Sequence, residues 1–183
     1  MSGQVSGRAV ILDRDGTMVV DRQYLSDPDG LMFLPGAAEG LRSIYEQGYR
    51  LIVITNQSGV GRGMFSIQTV RQMNVRLMEM VRQAGARLEG VYYCPHRPEE
   101  HCSCRKPGTQ LMRDAASELG FEPRRAIVIG DKISDVEFGR QSGATTMLIA
   151  PDPASAQARS AHPDYAVRDL REAATILLGL SEH

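Results

Sequence analysis

Short unbroken apolar runs alternate along the chain with longer stretches in which apolar residues recur every three or four positions. The short runs predict buried strands, the longer ones amphipathic helices. Strands are expected over 8–13, 49–56, 88–94, 125–131 and 145–150, and helices over 36–48, about 67–84, 108–120 and briefly 134–143. The first helix carries its stripe on Ala37, Leu41, Ile44 and Tyr45 and stops at Gly48; the second carries Val70, Met73, Leu77, Met80 and Val81 behind a Ser66 cap. The Pro-, Ala- and Ser-rich stretch 151–164 reads as surface loop, and 165–180 as a last short strand and helix. Strands alternating with helices predict an α/β fold, a doubly wound, mainly parallel sheet with helices on both faces. With no repeat and no break in composition, 1–183 is expected to form one domain.

Charge and composition remove several classes of partner. The formal net charge is -1, which gives no reason to expect nucleic acid. No apolar run approaches the roughly 20 residues of a membrane span, and the start, "MSGQVSGRAV", lacks the basic-then-apolar order of an export signal. A cytoplasmic protein without membrane contact is expected, and a monomer, since no exposed apolar helix face stands out. The chain has 3 cysteines, an odd count crowded between Cys94 and Cys104. That favours a metal site over a disulfide framework.

In an open parallel sheet, ligands gather outside the carboxyl ends of the strands. The first strand ends in "DRDGT", with Asp13, Asp15, Gly16 and Thr17. The second ends in "TNQS", with Thr55, Asn56, Gln57 and Ser58, and the run at 126–130 leads into "GDKISD", with Asp131, Lys132 and Asp135. Lys106 lies between, in "CRKP". Any one of these would be an ordinary turn former, cap or surface charge. Together and in this order they are the parts needed to move a phosphoryl group. A carboxylate can attack phosphorus, a second acid can move the proton, and a lysine and a hydroxyl can hold the phosphoryl oxygens. Acidic oxygen ligands suit Mg²⁺, which neutralises charge between attacking anion and phosphate.

A second constellation is C-x-H-x5-C-x-C: Cys94, His96, Cys102 and Cys104. Three thiolates and an imidazole are the set tetrahedral Zn²⁺ takes in a closed structural site. His101 is expected to point to solvent instead. Such a site leaves no position for substrate, so its work would be positional: Arg105 and Lys106 follow the last ligand directly.

The four segments "DRDGT", "TNQ", the lysine of "CRKP" and "GDKISD" resemble the haloacid dehalogenase-like phosphohydrolases over about residues 8–150. The resemblance implies Asp13 as nucleophile and Asp15 as general acid/base. It also implies Mg²⁺ on Asp13, the Asp15 carbonyl and Asp131, phosphoryl contacts from Thr55 and Lys106, and support of the metal by Asp135. "DRDGTMVVDRQY", "TNQSGVGRGMF", "YYCPH" and "CSCRKP" are most similar to the branch that removes the C7 phosphate of heptose 1,7-bisphosphates on the way to nucleotide-activated heptose. That branch carries the zinc loop, and the match implies substrate contacts at Asp21, Tyr24, Asn56, Gln57, Ser58, Arg105 and Lys132, with Arg22 and Gln23 departing from its pattern. The implied substrate is a small phosphorylated sugar. About 38 residues separate Thr17 from Thr55 and about 50 separate Thr55 from Lys106, leaving no room for a large cap domain.

Three other readings compete. The histidinol-phosphate phosphatases share the zinc cluster and catalytic set. A receiver-like phospho-accepting module shares the sheet, an Asp, a Thr and a Lys, but its accepting Asp ends a later strand; here the D-x-D pair favours turnover. The "SGVGRG" stretch lacks the G-x-G-x-x-G spacing of a dinucleotide site.

Overall fold

The structure, a computed structural model, describes residues 8–181. Six strands form one sheet: β1 (Ala9–Leu12), β2 (Arg50–Asn56), β3 (Leu88–Cys94), β4 (Ile127–Gly130), β5 (Thr145–Ile149) and β6 (Tyr165–Val167). Their spatial order is β3-β2-β1-β4-β5-β6, and every pair is parallel. Six helices connect or follow them: α1 (Ala37–Glu46), α2 (Ile67–Gln83), α3 (Gln110–Leu119), α4 (Ile133–Gln141), α5 (Ala156–Ala161) and α6 (Leu170–Ser181).

The unbroken apolar strands follow from cover on both faces. In β1, Val10 and Leu12 pack with α1, α2 and α6 through Leu41, Ile44, Met73, Leu77 and Leu177. Ala9 and Ile11 face the other way, onto Met112 and Ala115 of α3 and Phe138 of α4. All four β1 side chains are buried, and each large one contributes roughly 1.5–3 kcal/mol. This rigid centre fixes where the polar residues after β1 emerge.

Element ends differ from the sequence reading where local chemistry intervenes. The stretch 151–164 is not all loop, because α5 forms within it. Ser155 Oγ accepts from Ala158 N at 3.2 Å, and Ala158 and Ala161 bury against Val136 and Leu148. Alanine has the highest helix propensity, and a serine cap starts the turn. Tyr45 lies off the buried stripe, 41% exposed. Residues 123–125 form a 3₁₀ turn, so the strand expected from 125 starts at Ile127. Ser66 caps α2 as read, accepting from Thr69 N at 3.1 Å.

Two connections shape the carboxyl edge. After β1 the chain runs out and back, with Val20 N donating to Met32 O and Leu34 N to Met18 O. The tip of this excursion carries Asp21 to Leu25 to the pocket described below. The second connection is the Cys/His loop between β3 and α3. Among the described residues no helix is long and apolar enough to cross a membrane.

Candidate active site

The order of strands turns at β1, which has β2 on one side and β4 on the other. That is where an open α/β sheet opens a crevice. Asp13 leaves β1 there, its N–H still bonded to Ile129 O at 3.0 Å. A pocket of about 450 Å³ lies over it, walled by Asp15, Thr55, Lys106 and Asp135, with Asp21, Arg22, Tyr24, Ser58, Arg105 and Lys132 further out.

At the floor, the Lys106 ammonium donates to Asp13 Oδ1 at 2.6 Å and Ile54 O at 2.7 Å, and pairs with Asp135 Oδ1 at 2.7 Å. The three side chains are between 2% and 6% exposed, so this is a desolvated cluster. Burial works against the lysine's charge, but Asp13 and Asp135 outweigh it and raise its pKa. Burial also raises the Asp135 carboxyl, against the pull of Lys106. Asp135 is spent on both oxygens, since Oδ2 accepts from Lys132 N at 3.0 Å and caps α4. Gly130 permits that closeness: a Cβ there would collide with the Asp135 carboxyl.

Asp131 closes the cluster. Its Oδ1 accepts from Thr17 Oγ1 at 3.3 Å, and it packs on Gly16, whose φ of +86° and missing Cβ let the loop pass against the carboxylate. Burial pushes the Asp131 carboxyl up to about 7, Asp13 adds to the shift, and Lys132 opposes it. Asp13, Asp131 and Asp135 each offer an oxygen within 4.8 Å of the others. Three converging acids, with Lys106 paired to only two of them and the third raised to about 7, are a donor set short of positive charge. It fits an oxygen-ligated divalent cation such as Mg²⁺, with Asp13 and Asp131 as the carboxylates free to take it.

Asn56 and Gln57, expected at the substrate, line the pocket and also bind its other walls. Asn56 Oδ1 accepts from Lys106 N at 3.0 Å, and its Nδ2 donates to Lys106 O at 3.2 Å. It pins the backbone that carries the lysine. Gln57 donates through Nε2 to Asp15 Oδ2 at 2.8 Å and Thr55 Oγ1 at 3.0 Å, and accepts from Arg14 at 2.9 Å. Arg14, which the sequence reading did not single out, is 3% exposed and forks onto Asp15, Nε to Oδ2 at 3.0 Å and Nη2 to Oδ1 at 3.2 Å. An arginine between two aspartates usually signals a solvated turn; the available clue was its place inside D-x-D.

The outer residues are looser. Lys132, half exposed, lies 3.7 Å from Asp21 Oδ2 and 3.9 Å from Asp131 Oδ2. Gln23 and Tyr24 both have positive φ, 39° and 61°. Tyr24 and Phe65 flank Gly59, where a Cβ would strike both rings.

The Cys/His loop brings its four expected ligands together. Sulfur–sulfur distances are 3.1 Å for Cys94–Cys104, 3.5 Å for Cys94–Cys102 and 3.5 Å for Cys102–Cys104. His96 Nδ1 is 3.2 Å from Cys104 Sγ and 3.6 Å from Cys94 Sγ. All are too long for a disulfide, with S–S about 2.05 Å. They lie slightly inside the edges, about 3.8 Å, of a tetrahedron with Zn–S bonds of about 2.3 Å. Although burial raises the Cys102 thiol, its bonds from Cys104 and Cys94 bring it down to about 7, while burial holds the Cys94 and Cys104 thiols above their ordinary value; ligation requires thiolates, which a bound cation would stabilise. The set fits zinc. His101 is exposed and absent from the group of converging ligands. Arg105 reaches back to His96 O at 3.3 Å, tying the loop to the pocket wall.

Comparison with known proteins gives the family. A family described as HAD-hydrolase-like matches residues 103–173. The D-glycero-beta-D-manno-heptose-1,7-bisphosphate 7-phosphatase of Helicobacter pylori strain J99 is 40% identical over 145 residues, covering 79% of this chain and 83% of that protein. The protein of the same name from Haemophilus ducreyi is 35% identical over 149 residues, covering 78% and 82%. Among solved structures, the D,D-heptose 1,7-bisphosphate phosphatase from B. bronchiseptica, complexed with magnesium and phosphate, superposes with a TM-score of 0.82. It is 26% identical, covering 94% of this chain and 99% of that one.

Proposed function

This chain belongs to the haloacid dehalogenase-like phosphatases and is a phosphoric monoester hydrolase, and from that premise we propose that it removes the C7 phosphate of D-glycero-D-manno-heptose 1,7-bisphosphate. The observation that carries the proposal is the pocket itself. Its floor has the Asp13–Lys106–Asp135 cluster, and its mouth has separate cations, Arg22, Arg105 and Lys132. A substrate with phosphates at both ends would put one at each. The names of the relatives point to the same substrate.

In this mechanism Asp13 attacks phosphorus and forms an aspartyl phosphate while the bond to the sugar oxygen breaks. Asp15 gives that oxygen its proton, then takes one from the water that hydrolyses the intermediate and releases Asp13. The Thr55 hydroxyl, already accepting from Gln57, keeps its hydrogen for a phosphoryl oxygen. Lys106 has all three donors engaged, so a phosphoryl oxygen takes the place of the bond to Asp13. A divalent cation held by Asp13, Asp131 and the Asp15 carbonyl would neutralise charge between the two anions. Zinc on Cys94, His96, Cys102 and Cys104 would hold Arg105 and Lys106 in register. We place the enzyme, as a cytoplasmic monomer, in the supply of nucleotide-activated heptose.

The test is phosphate release with Mg²⁺, comparing kcat/KM for both anomers of heptose 1,7-bisphosphate with histidinol phosphate. A preference of about 100-fold for a heptose, about 2.7 kcal/mol in transition-state stabilisation, supports the proposal. Preference for histidinol phosphate would overturn the substrate and keep the catalytic roles.

A further inference from the structure

We propose that Arg14 and Gln57 are positioning residues that aim Asp15 by saturating one of its oxygens, leaving Oδ1 as the atom that carries the proton. The inference rests on the reading of Asp15 as general acid/base and adds which atom acts and what holds it.

The bonds around Asp15 are unequal. Oδ2 is 3.0 Å from Arg14 Nε, 2.9 Å from Arg14 Nη2 and 2.8 Å from Gln57 Nε2. The bonds from Arg14 Nε and Gln57 Nε2 fill that oxygen's two lone pairs, while the two hydrogens of Nη2 go to Oδ1 and to Gln57 Oε1. Oδ1 has a single bond, the longer one of 3.2 Å to Arg14 Nη2. The ring closes because Arg14 Nη2 also donates to Gln57 Oε1 at 2.9 Å. A planar fork meeting a carboxylate fixes its plane as well as its position, so the side chain cannot swing to another rotamer without breaking several bonds at once. Gln57 bonds Thr55 as well, which ties the proton carrier to the hydroxyl read as a hydrogen-bond donor to a phosphoryl oxygen.

A purely structural role explains Arg14 poorly. The residue is 3% exposed, and its Nη1 is buried with no hydrogen-bond partner. Burying a guanidinium with a donor left over is costly, and apolar side chains usually serve stability as well or better. The charge is kept where it touches the proton carrier.

In the first chemical step the proton on Oδ1 passes to the bridging oxygen as the P–O bond breaks. In the second, Oδ1 takes a proton from water as the water oxygen bonds to phosphorus and the bond from phosphorus to Asp13 breaks. An aryl leaving group departs without a proton; an alkyl one does not. The test therefore uses rapid mixing of Arg14→Met and Gln57→Leu with p-nitrophenyl phosphate and with an alkyl phosphate, after checking folding by melting temperature and zinc content. Expected is a nitrophenolate burst within about 3-fold of the parent rate and later turnover slowed about 10²-fold, within the range that acid–base catalysis supplies. Phosphorylation by the alkyl substrate should fall by a similar factor, with Arg14→Lys recovering only part of it. Equal losses on both substrates, or none, in either folded variant overturn the inference. Gln57→Leu serves alone if Arg14→Met does not fold. Asp15→Asn, run alongside, separates the two levels. If it shows the leaving-group signature and the others do not, only the positioning role falls; if it behaves as the parent does, the acid/base reading falls first.

Discussion

Replacing Lys106 by methionine removes the central charge while keeping most of the aliphatic stem. The ammonium has three close partners in a site at most 6% exposed. Truncating one member of a buried ion pair costs about 3–5 kcal/mol, because the remaining charges are left uncompensated. Here two carboxylates and a carbonyl lose their donor together, and water entering from the pocket returns part of the loss, so about 3 kcal/mol at neutral pH is expected. The same change removes a fixed charge from the phosphoryl site, worth about 10²–10³ in kcat.

The pH dependence gives the test its sign. Burial already raises the Asp135 carboxyl against the pull of Lys106, and without the lysine it rises further. A carboxyl raised in the folded state contributes stability that is complete below its unfolded value, and that contribution is lost as pH climbs through the folded value. The deficit of Lys106→Met should therefore be smaller at about pH 5 than at about pH 8. Urea denaturation of parent and variant at both values, without divalent metal, measures it. A deficit under about 1 kcal/mol at the higher pH, or one that grows toward acid, would show that the cluster does not depend on the ammonium.

Three further outcomes follow from the same geometry. Since a proton competes with the cation for Asp131, raised to about 7, the melting-temperature gain from Mg²⁺ should grow as pH rises through about 7. Without metal this carboxyl's contribution to stability declines over the same interval; a pH-independent gain would remove Asp131 from the metal's ligands. Cys102→Ser should lose zinc, read by atomic absorption, and lower melting temperature and kcat together, whereas a stable, fully active, zinc-free variant would show the loop to be independent of the metal. Gly16→Ala puts a Cβ into Asp131 and a side chain at φ +86°, so about 1–2 kcal/mol of stability and at least about 10-fold in Mg²⁺ activation should go; unchanged activation would mean that the loop re-forms around the methyl.

The polar residues of the pocket floor were legible because a parallel sheet puts strand ends on one edge, and Asp13, Thr55 and Asp131 end apolar runs. The converging Cys/His cluster was legible because four donors of the right type fall within eleven positions. Helix α5 was hidden because proline and serine dominate the composition around it, while its formation rests on one serine cap and two alanines meeting Val136 and Leu148. Arg14 was hidden for a different reason. Charged residues are nearly always solvated, and only the approach of Gln57, 43 positions away, gives its guanidinium a buried partner besides Asp15. Such pairings are made by tertiary structure and leave no local trace.

The run Thr55–Asn56–Gln57 shows how the remaining specificity must be arranged. Thr55 lines the pocket and accepts from Gln57, Asn56 pins the Lys106 backbone, and Gln57 holds Asp15 and Arg14. Three successive residues at the end of β2 thus join the loop after β1 to the loop after the cysteines. Most of the donor capacity of the Asn56 and Gln57 amides goes into that joint, which leaves one Asn56 hydrogen and the second lone pair of each amide oxygen for a sugar. Discrimination between substrates then falls to the outer ring: Asp21 to Tyr24 on the excursion after β1, Arg105 on the zinc loop, and Lys132 on the turn into α4. These sit on connections rather than strands, and Arg22 and Gln23 are where the chain departs from its nearest sequence pattern. Exchanging residues 22–23 should therefore change KM between phosphorylated sugars and leave the aryl phosphate burst untouched, while a change at Asn56 or Gln57 should lower turnover on every substrate that needs a proton.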